Sequence, residues 1–200
     1  LGVILLFVVV LALQSNGLLN RKATGLLVPI CCYMSMAVSL NLTVGILGGT
    51  GSSKSTLIQL ISRLYDVTEG SVKVGGHDVR EYDLDALRSA VAVVLQKNVL
   101  FSGTIASNLR FGKEDATDEE IKKAAQIAQA EEFISEKSEG YESSISQGGS
   151  NVSGGQKQRL SIARAIAKNP RIYIFDDSFS ALDFKTDAAL RKALGENVQN

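Results

Sequence analysis

The chain has 200 residues, and Lys plus Arg equals Asp plus Glu at 21 each. That length is one ordinary domain with a further segment attached, long enough to bury a core. The balanced charge excludes a global field that would draw in nucleic acid or an anionic surface, so partners must be inferred from sites.

Leu1 to Leu13 is unbroken apolar sequence, and Gln14 to Asn16 interrupt it before Leu18 and Leu19. As a helix, Leu1 to Leu19 would cover roughly 28 Å, close to the hydrocarbon thickness of a bilayer. Arg21 and Lys22 follow, the flank expected on the cytoplasmic side. Residues 1–24 are therefore read as a candidate transmembrane helix and its flank. A secretory leader is disfavoured because no basic segment precedes the run; a buried core helix stays open. Gly25 to Leu40 is too short, and too broken by Pro29, for a second span. Cys31 and Cys32 have neither metal-ligand spacing nor a disulfide framework and read as reduced packing residues.

Leu42 to Leu47 reads as a strand feeding Gly48-Gly49-Thr50-Gly51-Ser52-Ser53-Lys54-Ser55-Thr56. Small residues between a strand and a helix let backbone N–H groups turn inward on an anion, and the helix N-terminus adds to the attraction. Lys54 would reach the β- and γ-phosphates of a triphosphate, and the Ser55 hydroxyl would coordinate Mg²⁺. Ser53 stands where the pattern has its second glycine, which is costly if that position needs an unusual φ. A plain Gly/Ser turn is the competing reading.

Beyond this loop, Leu57, Leu60, Ile61 and Leu64 recur at helical spacing, predicting one face packed on a sheet. Gly75-Gly76 closes a hairpin after Gly70 to Val74, with His77 just beyond and read as solvated. Asp83 caps a short helix carrying Leu84 and Leu87. Val91 to Leu95 is a β-branched run of buried-strand type ending at Gln96, where sheet enzymes place ligand contacts, although a mere strand terminator has the same look.

Phe101 to Gly112 leads through a turn into a short helix, and Thr117 with Glu120 forms a capping box for a helix striped by Ile121, Ala124, Ala125 and Ala128. Ser135 to Asn151, polar and rich in Ser and Gly, reads as a long exposed loop. It delivers the chain to Val152-Ser153-Gly154-Gly155-Gln156, where a helix begins with Leu160, Ala163 and Ala167 on one face. That N-terminus is either a second anion site or a plain cap. Arg171 to Phe175 reads as a buried strand closing on Asp176 and Asp177, adjacent carboxylates that call for a metal or a charged ligand if buried. Asp176 would hold Mg²⁺ and Asp177 would polarise the attacking water. Ser180 to Asp183 forms a turn, and Leu190, Ala193 and Leu194 mark a closing helix.

Taken together and in this order, the loop Gly48 to Thr56, Gln96 after its strand, Val152 to Gln156 with Lys157-Gln158-Arg159, and Ile172 to Asp177 with Ser180 to Asp183 resemble the nucleotide-binding domain of ABC transporters. The likeness is to bacterial exporters of the multidrug type, and it covers Leu42 to the C-terminus. The resemblance implies an α/β fold: a P-loop NTPase core with a parallel sheet, plus a helical subdomain carrying the signature, over residues 25–200. It implies ATP and Mg²⁺ as ligands, with Lys54, Gln96 and Asp177 in the catalytic group and Ser55, Gln96 and Asp176 about the metal. Val152 to Gln156 would be the signature, Asp176 the Walker B carboxylate, and Ser180 and Asp183 the D-loop. The partners implied are a second ATP-binding domain, a transmembrane permease and a small-molecule substrate, with no nucleic acid. The setting implied is the cell membrane, with the ATP-binding domain on its cytoplasmic side.

Three departures shape the expectation. Asp177 stands where the family usually has Glu as general base, shorter by one methylene or about 1.5 Å of reach. Reach governs whether a base works, so the site is expected to bind ATP and turn it over slowly, as one site of a heterodimeric exporter does. A pseudo-ATPase half of such a pair is the alternative. Upstream, the family's adenine-stacking aromatic and Gly-Glu turn have no counterpart before Val44, and Tyr33 is too close to serve. Downstream, the switch histidine would fall beyond Asn200, and His77 is the sole histidine. Together with an opening Leu in place of Met, these losses are read as a domain truncated at both ends. A soluble ATPase of DNA repair or translation is disfavoured, since neither coiled-coil heptads nor a basic stripe is present.

Overall fold

The computed structural model describes residues 53–197, and the chain divides into two compact units at Tyr82/Asp83. The expectations for residues 1–24, for the strand over Leu42 to Leu47 and for Tyr33, Cys31 and Cys32 lie outside the described residues. No helix among the described residues is long and apolar enough to cross a membrane.

In the first unit, helix α1 (Lys54–Ile61) is followed by the hairpin β1 (Lys73–Val74) and β2 (His77–Asp78), paired antiparallel with Val74 opposite His77. Gly75 and Gly76 sit at φ 58° and 88°, the left-handed backbone a two-residue hairpin turn requires. Tyr82 braces the turn by donating its hydroxyl to the Val74 carbonyl at 2.7 Å. The helix is shorter than its apolar spacing predicts. It ends at Ile61, so Leu64 lies beyond it and is 52% exposed, while Ile58 and Ile61 form the buried face and Leu57 and Leu60 are half-buried. Arg63 at φ 50° turns the chain out of the helix, which takes Leu64 off the predicted stripe.

In the second unit, Asp83 caps α2 (Leu84–Ala90) by accepting from the Ala86 N–H at 2.9 Å. Strand β3 (Val91–Val94) follows and pairs in parallel with β6 (Ile172–Phe175), Val91 opposite Ile172 and Val94 opposite Phe175. Between them lie β4 (Gly103–Thr104), α3 (Ile105–Arg110), α4 (Asp118–Ile127), α5 (Glu131–Ser135), β5 (Ser144–Ile145) and α6 (Gly154–Ala167). Helix α7 (Phe184–Asn197) closes the unit and buries Leu190. A long excursion between adjacent parallel strands is what their geometry demands.

The capping box at Thr117 and Glu120 forms as expected, and Ile121, Ala124, Ala125 and Ala128 are all buried. Three expectations are corrected. The stretch 135–151 is not simply an exposed loop: β5 pairs antiparallel with β4, Ile145 joins the core, and Gly149 at φ 69° packs so closely that a Cβ there would meet Leu100 at 3.2 Å. Asn151 ties the ends of this stretch, accepting from Ser146 N–H and donating to the Ser144 carbonyl. Helix α6, predicted to bury one face, buries Gln158, Leu160, Ser161, Ile162, Ala163, Ala165, Ile166 and Ala167, so it is the unit's central helix rather than an amphipathic surface one. Strand β6, by contrast, is half-buried along its whole length.

Arg164 shows how a cation is held in such a helix. It donates to the Asn108 carbonyl at 2.9 Å, to Asn108 Oδ1 at 2.9 Å and to the Val99 carbonyl at 3.1 Å, and burial lowers its pKa. Asn108 is itself buried, and its amide also bonds the Phe101 backbone on both sides. This knot fastens α3 and the segment after β3 onto α6.

Candidate nucleotide site

Ser53, Lys54, Ser55 and Thr56 open α1, and Gly48 to Ser52 lie outside the described residues. Ser53 is the N-cap at φ 58° and ψ 26°, squarely left-handed, and its side chain makes no capping hydrogen bond. The glycine pattern is thus explained by the backbone: the position requires positive φ, and Ser adopts it at a cost of about 1 kcal/mol. Its carbonyl accepts from Leu57 N–H at 3.1 Å, the first bond of the helix.

The other predicted residues fall in the second unit, and Gln96, Asp176 and Asp177 lie just past the carboxyl ends of β3 and β6, where open α/β sheets bind ligands. The parallel register brings two of them together. Gln96 lies two residues past Val94, Asp177 two residues past Phe175, and those strand ends are paired. Gln96 Nε2 donates to Asp177 Oδ2 at 2.8 Å. The strand itself stops at Val94, short of the predicted Leu95.

Asp176 continues the ladder by donating its N–H to the Val94 carbonyl at 2.9 Å, and its residue is half-buried. Asp177 is exposed and sits at φ 47°, a conformation that Asp tolerates better than most residues. The expected penalty of burying two carboxylates therefore does not apply to Asp177, which faces water and a neutral amide. Ser178 pins the turn from beneath: fully buried, it donates to the Val94 carbonyl at 2.8 Å.

Ser153 is the N-cap of α6 in a reciprocal box, accepting from Gln156 N–H at 3.2 Å while Gln156 Oε1 accepts from Ser153 N–H at 3.1 Å. The Ser153 hydroxyl thus retains its own proton for donation. Val152 is half-buried against the core, and Gly154 has open space about its Cα. Gly155 is different, since a Cβ there would stand 3.2 Å from the Ala181 carbonyl oxygen. Ser180 donates to the Asp177 carbonyl at 3.0 Å. Asp183 caps α7 through the Thr186 N–H and hydroxyl, and these bonds lower its pKa.

The donor set fits Mg²⁺ in kind. In the second unit Asp176 and Gln96 offer hard oxygens at one end of the sheet. Among the described residues no group of three or more His, Cys, Asp and Glu could hold a metal ion. A set this sparse suits an ion that completes its shell with waters and phosphate oxygens.

Gln158 lies beside the Val152 to Gln156 motif, and its place in the sequence assigns it no role. It is a buried amide in the first turns of α6, accepting from Ala181 N–H at 3.1 Å and lying 3.5 Å from the Asp177 carbonyl. A signal for that role is a large polar residue at a buried position of a helix whose other buried residues are Ser161 and Leu, Ile or Ala.

A phosphate-loop helix, paired parallel strands ending in an amide and two carboxylates, and a central helix opened by Ser-Gly-Gly define the class: an ATP-binding domain of P-loop NTPase fold. A family model described as ABC transporter matches residues 33–180, and the chain belongs to that family. It is 48% identical over 169 residues to an uncharacterised ABC transporter ATP-binding protein of Mycobacterium tuberculosis, a match covering 83% of this chain and 29% of that protein. It is 44% identical over 170 residues to a multidrug efflux ATP-binding/permease protein of Mycobacterium bovis, covering 85% of this chain and 14% of that one. Among solved structures, a bacterial Atm1-family ABC exporter with ATP bound superposes with a TM-score of 0.71 at 36% identity, covering 73% of this chain and 26% of the exporter. The chain thus spans less than a third of the length of each of these relatives.

Proposed function

We propose that this chain is the ATP-binding and ATP-hydrolysing domain of an exporter, and that its own site has a weakened base. The observation that carries the second part is Asp177: the carboxylate after Asp176 is one methylene short and is held by Gln96 at 2.8 Å. In this reading Ser53 to Thr56, with Gly48 to Ser52 before them, cradle the triphosphate, Lys54 neutralises its outer phosphates, and Ser55, Gln96 and Asp176 hold Mg²⁺. Bound Mg²⁺ would offset the charge of the phosphate oxygens. Asp177 accepts the proton of the attacking water, and Gln96 fixes the carboxylate's direction. Ser153 and Gly155 present the N-terminus of α6 to the nucleotide of a second ATP-binding domain, whose signature completes this chain's site.

The relatives' names place such domains in efflux and permease proteins. By analogy the partners are a transmembrane permease domain, a second and different ATP-binding domain, and a small molecule carried across the cell membrane, with ATP bound on the cytoplasmic side. Nucleic acid has no role in this reading. Short reach at Asp177 also favours a second reading, a nucleotide-holding pseudo-ATPase that regulates the catalytic half of a heterodimer.

One experiment separates them: ATP binding and turnover on the same sample, with Lys54→Ala as control. Slow turnover that the control removes supports the ATPase. Binding without turnover, lost in the control, supports the pseudo-ATPase. Binding that survives Lys54→Ala overturns both. In a mixed dimer, Ser153→Ala is expected to lower the partner site's rate; an unchanged rate contradicts the assignment of the signature.

A further inference from the structure

We propose that Gln158 is a positioning residue that clasps the turn carrying Asp177 to the helix carrying Ser153 and Gly155, so that the two half-sites of one chain move as a unit. This rests on the reading that Asp177 serves one nucleotide and the N-terminus of α6 another.

The clasp is built from few atoms. Gln158 is 2% exposed, so its amide must be satisfied by protein. Its Oε1 accepts from Ala181 N–H at 3.1 Å, and its Nε2 faces the Asp177 carbonyl at 3.5 Å. The amide therefore spans the turn 177–181 from the inside, meeting an acceptor at one end and a donor at the other. Ser180 reinforces the same carbonyl at 3.0 Å. On the far side, Ser178 fastens the turn to β3. Asp177, at φ 47° between these two anchors, has a main chain that cannot rotate without breaking one of them.

The second half of the link is steric. Gly155 leaves its Cα against Ala181, where a Cβ would come within 3.2 Å of the Ala181 carbonyl oxygen. The first turn of α6 thus touches the same turn that Gln158 bonds from its second. A shift of the α6 N-terminus is passed to Asp177 through one buried amide and one close backbone contact. Gln158 itself is directed away from solvent, and it acts through the position of Asp177.

The test uses the full chain with Gln158→Leu and Gln158→Glu, reading amide hydrogen exchange at Ala181 and at Leu109, a core residue of α3, beside ATP affinity and turnover. Gln158→Leu is expected to speed Ala181 exchange about tenfold, the worth of one lost hydrogen bond, while Leu109 is unchanged. Turnover falls by a similar factor with ATP affinity held. Gln158→Glu retains an acceptor for Ala181 N–H, so protection there stays, but it sets an oxygen against the Asp177 carbonyl and turnover falls. Unchanged Ala181 exchange in Gln158→Leu overturns the proposal, as does a turnover loss matched by faster exchange at Leu109, which would mean general loosening. If Gln158→Leu does not fold, Gln158→Glu decides: full turnover in that variant overturns the proposal. If the parent chain binds no ATP, the nucleotide reading fails, and Ala181 exchange alone judges the clasp.

Discussion

Gln96 and Asp177, 81 positions apart, share a 2.8 Å hydrogen bond because each lies two residues beyond a strand end that is paired with the other's. The amide gives a carboxylate on a left-handed backbone a fixed direction. Both side chains belong to exposed residues, so the bond adds little to stability and its effect falls on geometry.

Gln96→Ala is therefore expected to leave the melting temperature nearly unchanged, with less than about 0.5 kcal/mol lost, as for most surface substitutions. Turnover should drop by at least about three- to tenfold, the range of one ordinary hydrogen bond, and further if the Gln96 oxygen also holds the metal. Thermal melts and steady-state rates on the same preparation check both halves.

Ser53→Gly should stabilise the chain. A left-handed Ser is strained where Gly is not, and the gain, up to about 0.5 kcal/mol, is the strain relieved less the extra entropy Gly loses on folding. ATP affinity is expected to hold or rise. Denaturant midpoints and nucleotide titration decide it; a loss of stability would mean that Ser53 makes a compensating contact.

Much of this fold is legible because its signals are local. The box at Thr117/Glu120, the helix start at Ser153, the Asp83 cap and the Gly75-Gly76 turn each close within four residues, so composition and spacing suffice. Ser53 is legible only in part: standing in place of glycine it raises the question of an unusual φ, and the left-handed angle answers it. What escapes is non-local. Ile145 and Gly149 are tucked into the core by pairing with β4 and by contact with Leu100, which a Ser/Gly-rich stretch does not advertise. Helix α6 is buried nearly all round, so its periodicity reveals only part of its packing. Gln158 meets Ala181 across 23 positions, and no pattern within either segment predicts it.

Arg164 and Gly112 offer structural controls away from the nucleotide residues. Arg164→Met would strip donors from two backbone carbonyls and from buried Asn108, costing about 2–3 kcal/mol. Gly112→Ala would drive a Cβ to 2.6 Å from the Arg164 carbonyl oxygen, so backbone must shift, at about 1–3 kcal/mol. Both should lower the unfolding midpoint while folded protein keeps its ATP affinity.

Acid should weaken the first unit through Asp78. The Arg80 side chain, and then its backbone N–H, hold the Asp78 carboxyl at about 2, below the usual carboxylate value. A depressed carboxyl stabilises the folded chain above its unfolded pKa, and that contribution is lost as pH falls from the ordinary range toward 2. Arg80→Gln should flatten this part of the acid limb. Unfolding midpoints from pH 6 down to about 2 would show it.

The proposed weakness of this site lies in the reach of Asp177, and Asp177→Glu with ATP binding and turnover measured side by side tests it most directly. Glu restores one methylene, although it tolerates φ 47° less well, so a stability loss of about 1 kcal/mol or less is expected. Unchanged ATP affinity is expected, with turnover raised at least about tenfold, a fraction of the roughly 10²–10⁴-fold that a well-positioned base supplies. Turnover that stays the same or falls, with ATP still bound, would contradict a reach-limited base at this site.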